Sequence, residues 1–346
     1  MSEKMLSAGK GALFLTALSA VSQLLGFGYR VILSRLVGAE VMGLYQLVMP
    51  VYSVLMSLTA VGVTSACSNL TSQHLALGNR KAADQTISTC LKLFFLALLP
   101  IGTAVILGSD AISVYLLGDA RTQLGLILLI PCVALTGVEN LHKHFFYGSG
   151  VVRPPAIVEL LEQFVRTLAV IALLVFFLPQ YPERVVGLIV AGMVICEVFS
   201  SCALVLLYRR RMGRRALSGK GEPGRVRRRR VLSIALPVGL NALLGNLLGA
   251  ANNTLIPQKL VEGGVDRSAA MSQFGVVCGM TMPMLSLPIV FLGALNLVLV
   301  PRLSRACALN RPAEIRRLAS QAVSAVSLLT LPAMALMVVV GPDLGR

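Results

Sequence analysis

The stretch Thr86–Gly108 reads TISTCLKLFFLALLPIGTAVILG and carries a single charge, at Lys92. A helix needs about 20 apolar residues to cross the hydrocarbon core of a bilayer, and this run has that length. It does not alternate apolar and polar residues as the strands of a membrane barrel do. The stretch therefore predicts a transmembrane helix.

Apolar runs of similar length recur along the whole chain, separated by short polar bursts. Of its 346 residues, 56% are hydrophobic and only 13% are charged, whereas soluble domains are about a quarter charged. The chain is therefore predicted to be an all-α integral membrane protein. The nine predicted spans are about 11–33, 41–68, 86–108, 122–141, 156–179, 185–208, 231–257, 270–300 and 318–341.

The net charge of +16 arises from 31 Lys and Arg against 15 Asp and Glu. In a soluble protein this excess would favour a nucleic-acid partner. Here the charges lie in loops between spans, without a nucleic-acid-binding motif, so no such partner is expected. Cytoplasmic loops of membrane proteins are rich in Lys and Arg. The distribution of the basic residues among the loops therefore predicts which way the spans are oriented in the membrane.

A cytoplasmic N-terminus places 22 of the basic residues inside and six outside. The inside set comprises Lys4, Lys10, Arg80, Lys81, Lys143, Arg153, eleven residues in 209–230 and five in 302–317. The outside set comprises Arg35, Arg121, Arg184, Lys259, Arg267 and Arg346. This ratio predicts a multi-pass protein of the cell membrane with its N-terminus in the cytoplasm.

The basic segment 209–230 divides the chain into two parts. Residues 1–208 are predicted to form a six-helix lobe, 209–230 a basic cytoplasmic linker, and 231–346 a partial lobe of three helices. Glycine, proline and like charge in the linker disfavour a packed domain. We expect it to lie along the membrane surface, attracted to anionic lipid headgroups. The alternative is a regulatory or partner-docking loop.

The two parts resemble each other. The first contains ALGNRKAAD from Ala76 and the second ALNRPAE from Ala308, each followed by an apolar helix. Both also carry Met-Pro in their second span, at Pro50 and Pro283. A parallel repeat about an axis along the membrane normal is typical of transporters. Because the second part has three spans against six, we expect the chain to be truncated.

The segment LLGFGYRVILSRLVGAEVMGLYQLVMPVYSVL, residues 24–55, resembles the first two helices of the stage V sporulation protein B-like polysaccharide transporters. Further similar pieces are FYGSG at 146–150, followed by Arg153-Pro154, and EQFVR at 162–166. The resemblance covers essentially the whole chain. These transporters belong to the multidrug/oligosaccharidyl-lipid/polysaccharide exporter superfamily, alongside lipid II flippases and multidrug and toxin extrusion (MATE) proteins.

The resemblance implies a MATE-like transporter of two six-helix lobes that open alternately to either side. The first lobe would be complete and the second truncated after about three helices. The implied cargo is a lipid-linked sugar, and sporulation or cell-wall biogenesis is implied as the setting. Asn252-Asn253-Thr254 stands where relatives often carry an acidic residue, which weakens an ion-coupling role at that position.

Ionisable residues inside spans are costly and are therefore candidate functional residues. In the fifth span, Glu159, Glu162 and Arg166 follow i, i+3, i+7 spacing and share one helical face. Glu162 and Arg166 are in the favourable order for an i, i+4 pair. Arg166 would either bind a pyrophosphate while the glutamates sense protons or a cation, or simply pair with Glu162. Glu197, in the sixth span, is predicted to pair with Arg166 or to be protonated.

Two further cations lie inside spans. Arg30 is in the outer half of the first span, and its guanidinium suits phosphate oxygens; we favour the cavity over snorkelling to the interface. Lys92 is close enough to the interface to snorkel. Near the end of the fourth span, the Glu139–His144 segment contains His-x-His, which we interpret as a solvated helix end rather than a metal site.

No enzyme signature is present, and no catalytic residue, metal or other cofactor is expected. The seven cysteines lack metal spacing and are expected to be free. The leading hypothesis is a flippase that moves an anionic lipid-linked oligosaccharide or peptidoglycan precursor by alternating access, coupled to H⁺ or Na⁺. The alternatives are a multidrug/cation antiporter of the same superfamily, and an inactive fragment or membrane scaffold. Membrane lipids are the other expected partners.

Overall fold

The computed structural model describes residues 2–213, 219, 221–282 and 312–344. Within these ranges the chain is helical and contains no strand. The longer helices are α1 Ser2–Met56, α2 Gly62–Ala76, α3 Arg80–Leu107, α4 Gln123–Gly148, α5 Arg153–Phe177, α6 Val185–Gly213, α7 Gly224–Glu262, α8 Arg267–Phe274 and α9 Pro312–Leu344.

Short helical turns join or extend these helices. π-helical turns lie at Ser57–Val61, Ile112–Leu116 and Gly275–Thr281, 3₁₀ turns at Ala120–Thr122 and Pro182–Arg184, and one α-helical turn at Ser109–Ala111. The first π turn connects α1 to α2 without leaving helical backbone angles, since Met56 and Gly62 are both right-handed helical. The helical backbone therefore continues without interruption over residues 39–76.

Six helical stretches in the described residues are long and apolar enough to cross a membrane. They are Val21–Ala76, Arg80–Leu107, Ala120–Gly148, Arg153–Phe177, Pro182–Arg211 and Gly224–Glu262. The prediction of an all-α, multi-pass membrane protein is therefore confirmed. The first stretch holds two predicted spans and the others one each. The eighth predicted span, 270–300, lies mostly outside the described residues, and the ninth falls within α9.

Gly38 separates the first two predicted spans. Its φ of 77° and ψ of 173° interrupt α1, and a positive φ is readily adopted only by glycine. The next helix boundary is also set by local chemistry: the Asn79 side chain accepts a hydrogen bond from the Ala82 amide at 3.1 Å and caps α3. This cap accounts for the asparagine of the ALGNRKAAD motif. In its second copy, residues 308–311 lie outside the described residues.

The chain forms two compact units, Met1–Val31 with Val277–Arg346, and Ile32–Val276. In the larger unit α6 packs against both α4 and α5, while α2 packs against α3, α4 and α7. Its main core contains Cys67, Leu70, Phe94, Phe145 and Val231. The larger unit therefore extends past the basic linker and includes α7 and α8.

The predicted linker is helical at both ends. α6 continues to Gly213 and α7 begins at Gly224, six residues earlier than the predicted end of the linker. Arg227, in the first turn of α7, donates hydrogen bonds to Gln85 Oε1 on α3 at 2.8 Å and to the Glu222 carbonyl at 3.0 Å. This end of the linker is therefore fastened to α3, a contact that the sequence did not predict.

Candidate functional site

Three neighbouring helices place five ionisable side chains together inside the larger unit. Glu139 and Lys143 come from α4, Glu162 and Arg166 from α5, and Glu197 from α6. The three glutamates are only 2%, 5% and 2% exposed, respectively. All five lie within helices of membrane-spanning length. We refer to these five residues as the charged cluster.

Arg166 is the centre of the charged cluster. Its guanidinium forms an ion pair with Glu162 on the same helix and lies 3.6 Å from Glu197 Oε1 on α6. Its Nε also donates to Cys196 Sγ at 3.4 Å. Both pairings, which the sequence analysis gave as alternatives, are present, and Arg166 links α5 to α6.

The second ion pair of the charged cluster lies on α4, where Lys143 Nζ is 2.7 Å from Glu139 Oε1. The Glu139 carboxyl also faces those of Glu162 and Glu197. Glu197 Oε2 is buried without a hydrogen-bond partner among the described residues. Two facing carboxylates offer only acceptors, so a proton shared between them would satisfy this oxygen.

The charged cluster contains three carboxyl groups and two cations. A buried charge without compensation is strongly unfavourable, so one bound proton or one additional cation is needed for neutrality. The ligand atoms of Glu162, Cys196 and Glu197 lie within 4.8 Å of one another, a spacing that suits a metal ion. Because the guanidinium of Arg166 already contacts these three residues, a proton is the simpler way to balance the charge.

Two predicted site residues, Glu159 and Arg30, are not members of the charged cluster. Glu159 is half-buried and close enough to Lys143 and Tyr147 for electrostatic interaction. Arg30 is exposed and belongs to the smaller unit. The structure thus brings together Glu162, Arg166 and Glu197, with Glu159 at one side.

Glu139 and Lys143 are the members of the charged cluster that sequence reasoning missed. The interpretation of this segment as a solvated helix end is wrong for Glu139 and His142, since His142 is only 4% exposed and its ring packs against Tyr208. A signal was nevertheless present. Glu139–Lys143 repeats, on the preceding helix, the acid-then-base i, i+4 order of Glu162–Arg166.

Residues 8–307 match the family described as polysaccharide biosynthesis protein. The chain is 26% identical over 298 residues to stage V sporulation protein B of Bacillus subtilis (strain 168), covering 85% of this chain and 58% of that protein. It is 24% identical over 312 residues to sporulation protein YkvU of the same organism, covering 87% and 66%. The chain therefore spans about three fifths to two thirds of the length of these relatives.

Solved transporter structures share the fold. A multidrug resistance MATE family transporter of the MOP superfamily, in an inward-facing conformation, matches with a TM-score of 0.63 and 14% identity, over 95% of this chain and 70% of that chain. A MOP superfamily transporter from Pyrococcus furiosus Vc1 (DSM3638) matches with a TM-score of 0.62 and 15% identity, over 97% and 73%. With its membrane-length helices, MATE-type fold and matched residues 8–307, the chain belongs to the polysaccharide biosynthesis protein family.

Proposed function

We propose that the protein moves a lipid-linked oligosaccharide or peptidoglycan precursor across the cytoplasmic membrane by alternating access. The observation that carries this proposal is the charged cluster, which places an arginine and an unbalanced set of carboxyl groups among membrane-spanning helices. Ionisable groups at such positions mark substrate or ion pathways. The family and the MATE-type fold support a transporter, and the polysaccharide biosynthesis family supports a saccharide cargo.

In the proposed mechanism the carboxyl groups control the availability of Arg166. While Glu162 and Glu197 are both ionised, they hold the guanidinium. Protonation of Glu197 weakens its attraction for Arg166 and leaves part of the guanidinium available to an anionic group. The planar fork of arginine suits the oxygens of a pyrophosphate. Proton binding and cargo binding are thereby linked, and Na⁺ is the alternative coupling ion. A cargo contact from Arg30 remains a prediction.

The excess of basic residues favours a cytoplasmic N-terminus, and the connection between α4 and α5 then faces the cytoplasm. Glu162 lies nine residues after Arg153, where α5 begins, so it is about 14 Å along the helix axis from that end. We propose that the cluster exchanges protons with the cytoplasmic side.

A multidrug/cation antiporter remains the second candidate. Arg30 and Arg166, which lie in two of the predicted spans, would repel a cationic drug. In the structure, however, Arg166 contacts two carboxyl groups, so this repulsion is offset locally. The excess carboxyl group would itself attract a cation. The two candidates therefore differ in cargo charge and are separated by one assay.

The assay uses the full chain in proteoliposomes, with fluorescent lipid II and a lipid-linked oligosaccharide as anionic cargoes and ethidium as a cationic cargo. We expect transfer of an anionic cargo. Arg166→Lys keeps the charge but loses the bidentate fork, so we expect a rate reduction of about tenfold. Arg184→Lys is the matched control, because Arg184 has a 60% exposed side chain, and it should retain the wild-type rate. Transport of ethidium alone would refute the saccharide proposal and favour the antiporter.

A further inference from the structure

An elongated groove runs along the exposed face of α3. Its lining residues on this helix follow helical spacing, and with Tyr208 of α6 they border a shallow, open volume of about 650 Å³. Asp84, Ser88 and Tyr208 form its polar end, and Phe95 and Leu99 lie at its apolar end. Lys92 stands where the polar lining changes to the apolar lining.

A second, apolar groove begins at Leu96, which lines both grooves. It lies between α3 and α7, encloses about 470 Å³ and includes Leu93, Leu236 and Leu240. The apolar part of the first groove therefore meets the second groove at Leu96, about one helical turn from Lys92. This arrangement matches the shape of a lipid that has one polar headgroup and two acyl chains.

The charge of Lys92, at the boundary between the polar and the apolar lining, favours an anion. Lys92 is exposed and forms no ion pair among the described residues. The Asp84 carboxylate accepts a hydrogen bond from the Tyr208 hydroxyl and lies eight residues from Lys92, about 12 Å along the helix. Arg209 and Arg210, which follow Tyr208, are both exposed. Lys92 is therefore the one cation among the lining residues, and the single lining carboxylate is well separated from it and already engaged by Tyr208.

We infer that these grooves bind one anionic phospholipid from the surrounding bilayer. Its phosphate would lie at Lys92, one acyl chain along Phe95 and Leu99, and the other along Leu236 and Leu240. The flexible lysine side chain lets its ammonium reach the headgroup level while its methylene groups cover apolar surface. A zwitterionic lipid would bring its own cation close to Lys92 and bind less well. The site does not depend on transport of a lipid-linked cargo.

The chain contains no tryptophan, so a single introduced indole reports on nearby lipid. The full-length Phe95→Trp variant is reconstituted in bilayers that contain brominated phosphatidylglycerol or brominated phosphatidylcholine, which quench indole fluorescence on contact. We expect an apparent affinity about fivefold higher for phosphatidylglycerol. Phe164→Trp is the matched control, since Phe164 is a similarly exposed phenylalanine (47%, against 39% for Phe95) on another membrane-length helix, α5, and it should show no preference.

Two lysine variants in the Phe95→Trp background locate the headgroup. Lys92→Gln should abolish the preference, whereas Lys81→Gln should leave it, because Lys81 is exposed on the same helix but outside the groove. Leu99→Trp serves as a second reporter if Phe95→Trp does not fold. Equal quenching of Phe95→Trp by both lipids would overturn the proposed phospholipid site. So would a preference for phosphatidylglycerol that survives Lys92→Gln.

Discussion

Arg166 shows how one side chain connects structure and proposed function. It is held by carboxyl groups from two helices and by the thiol of Cys196. Removal of one partner from a buried ion pair leaves the other charge without compensation, which is more damaging than loss of an exposed pair. The charged cluster is therefore expected to contribute to stability as well as to transport.

Arg166→Gln should lower the free energy of unfolding by about 3–5 kcal/mol, because it leaves Glu162 and Glu197 buried without their cation. Thermal unfolding of the purified protein in detergent measures this change. Arg184→Gln, at an exposed position, should stay within about 0.5 kcal/mol of the wild type. Equal losses in the two variants would show that Arg166 does not stabilise the fold as the partner of the two buried carboxylates.

Asp119, in the connection between α3 and α4, provides a prediction on pH. Burial alone would raise its pKa, but hydrogen bonds and charge from Arg121, and the charge of Arg267, hold the pKa of Asp119 below its usual range. Glu40 also pairs with Arg121. A carboxyl group whose pKa is lower in the folded state stabilises the fold above the unfolded pKa of about 4. This contribution is lost as pH falls through the folded value.

Asp119→Asn should therefore lower the unfolding temperature at pH 7, by an amount that corresponds to at most about 1 kcal/mol because solvent screens the pair. The difference from the wild type should shrink as the pH falls below about 4. Asp110→Asn, an exposed change in the same connection, should have little effect at either pH. A difference that persists at low pH would assign the effect to packing.

At the scale of helices, α2 and α7 approach closely at Gly62. A Cβ atom there would overlap the backbone carbonyl of Ala235, and a backbone atom cannot rotate away as the end of a side chain can. Small residues permit such close contact between membrane helices. Gly62 therefore sets how closely α7 packs on the rest of the larger unit.

Gly62→Ala should destabilise the protein by about 1–3 kcal/mol through overpacking. Gly245→Ala, within α7, is the control: no described atom of a neighbouring element lies within 4 Å of the added Cβ, and alanine favours helix by up to about 1 kcal/mol. Thermal unfolding should therefore move in opposite directions for the two variants. A similar response in both would refute the close approach.

Features of the fold and of the charged cluster could be predicted from the sequence when they depend on residues close together in the chain, and not when they depend on residues far apart. Hydropathy determines the spans, and i, i+4 spacing determines the Glu162–Arg166 pair, because both signals are local. The burial of Glu139 depends on which neighbouring helix covers its face, and the contact of Arg227 with Gln85 joins residues far apart in sequence. Neither follows from a helical pattern. The position of Arg166 relative to Glu197 was predicted only as one of two alternatives.

At the scale of the whole chain, membrane-length helices carry the charged cluster inside one compact unit, Ile32–Val276. The fold is that of MATE-type transporters. The proposed function adds that the excess carboxyl group of the cluster takes up and releases a cation during transport. Glu197 is the residue that distinguishes this coupling from a purely structural role, because Arg166 keeps Glu162 as a partner when Glu197 is neutralised.

The most direct measurement follows transfer of fluorescent lipid II by the full chain in proteoliposomes, with the membrane potential clamped. A gradient of about two pH units supplies about 2.7 kcal/mol per proton, and a sodium gradient is imposed separately. We predict that one of these gradients changes the initial rate of lipid II transfer severalfold in the wild type. Glu183→Gln is the control and should respond in the same way, because the Glu183 side chain is 58% exposed. Glu197→Gln should transfer cargo without this response. A wild-type rate indifferent to both gradients, or an unchanged response in Glu197→Gln, would contradict the coupling role of the charged cluster.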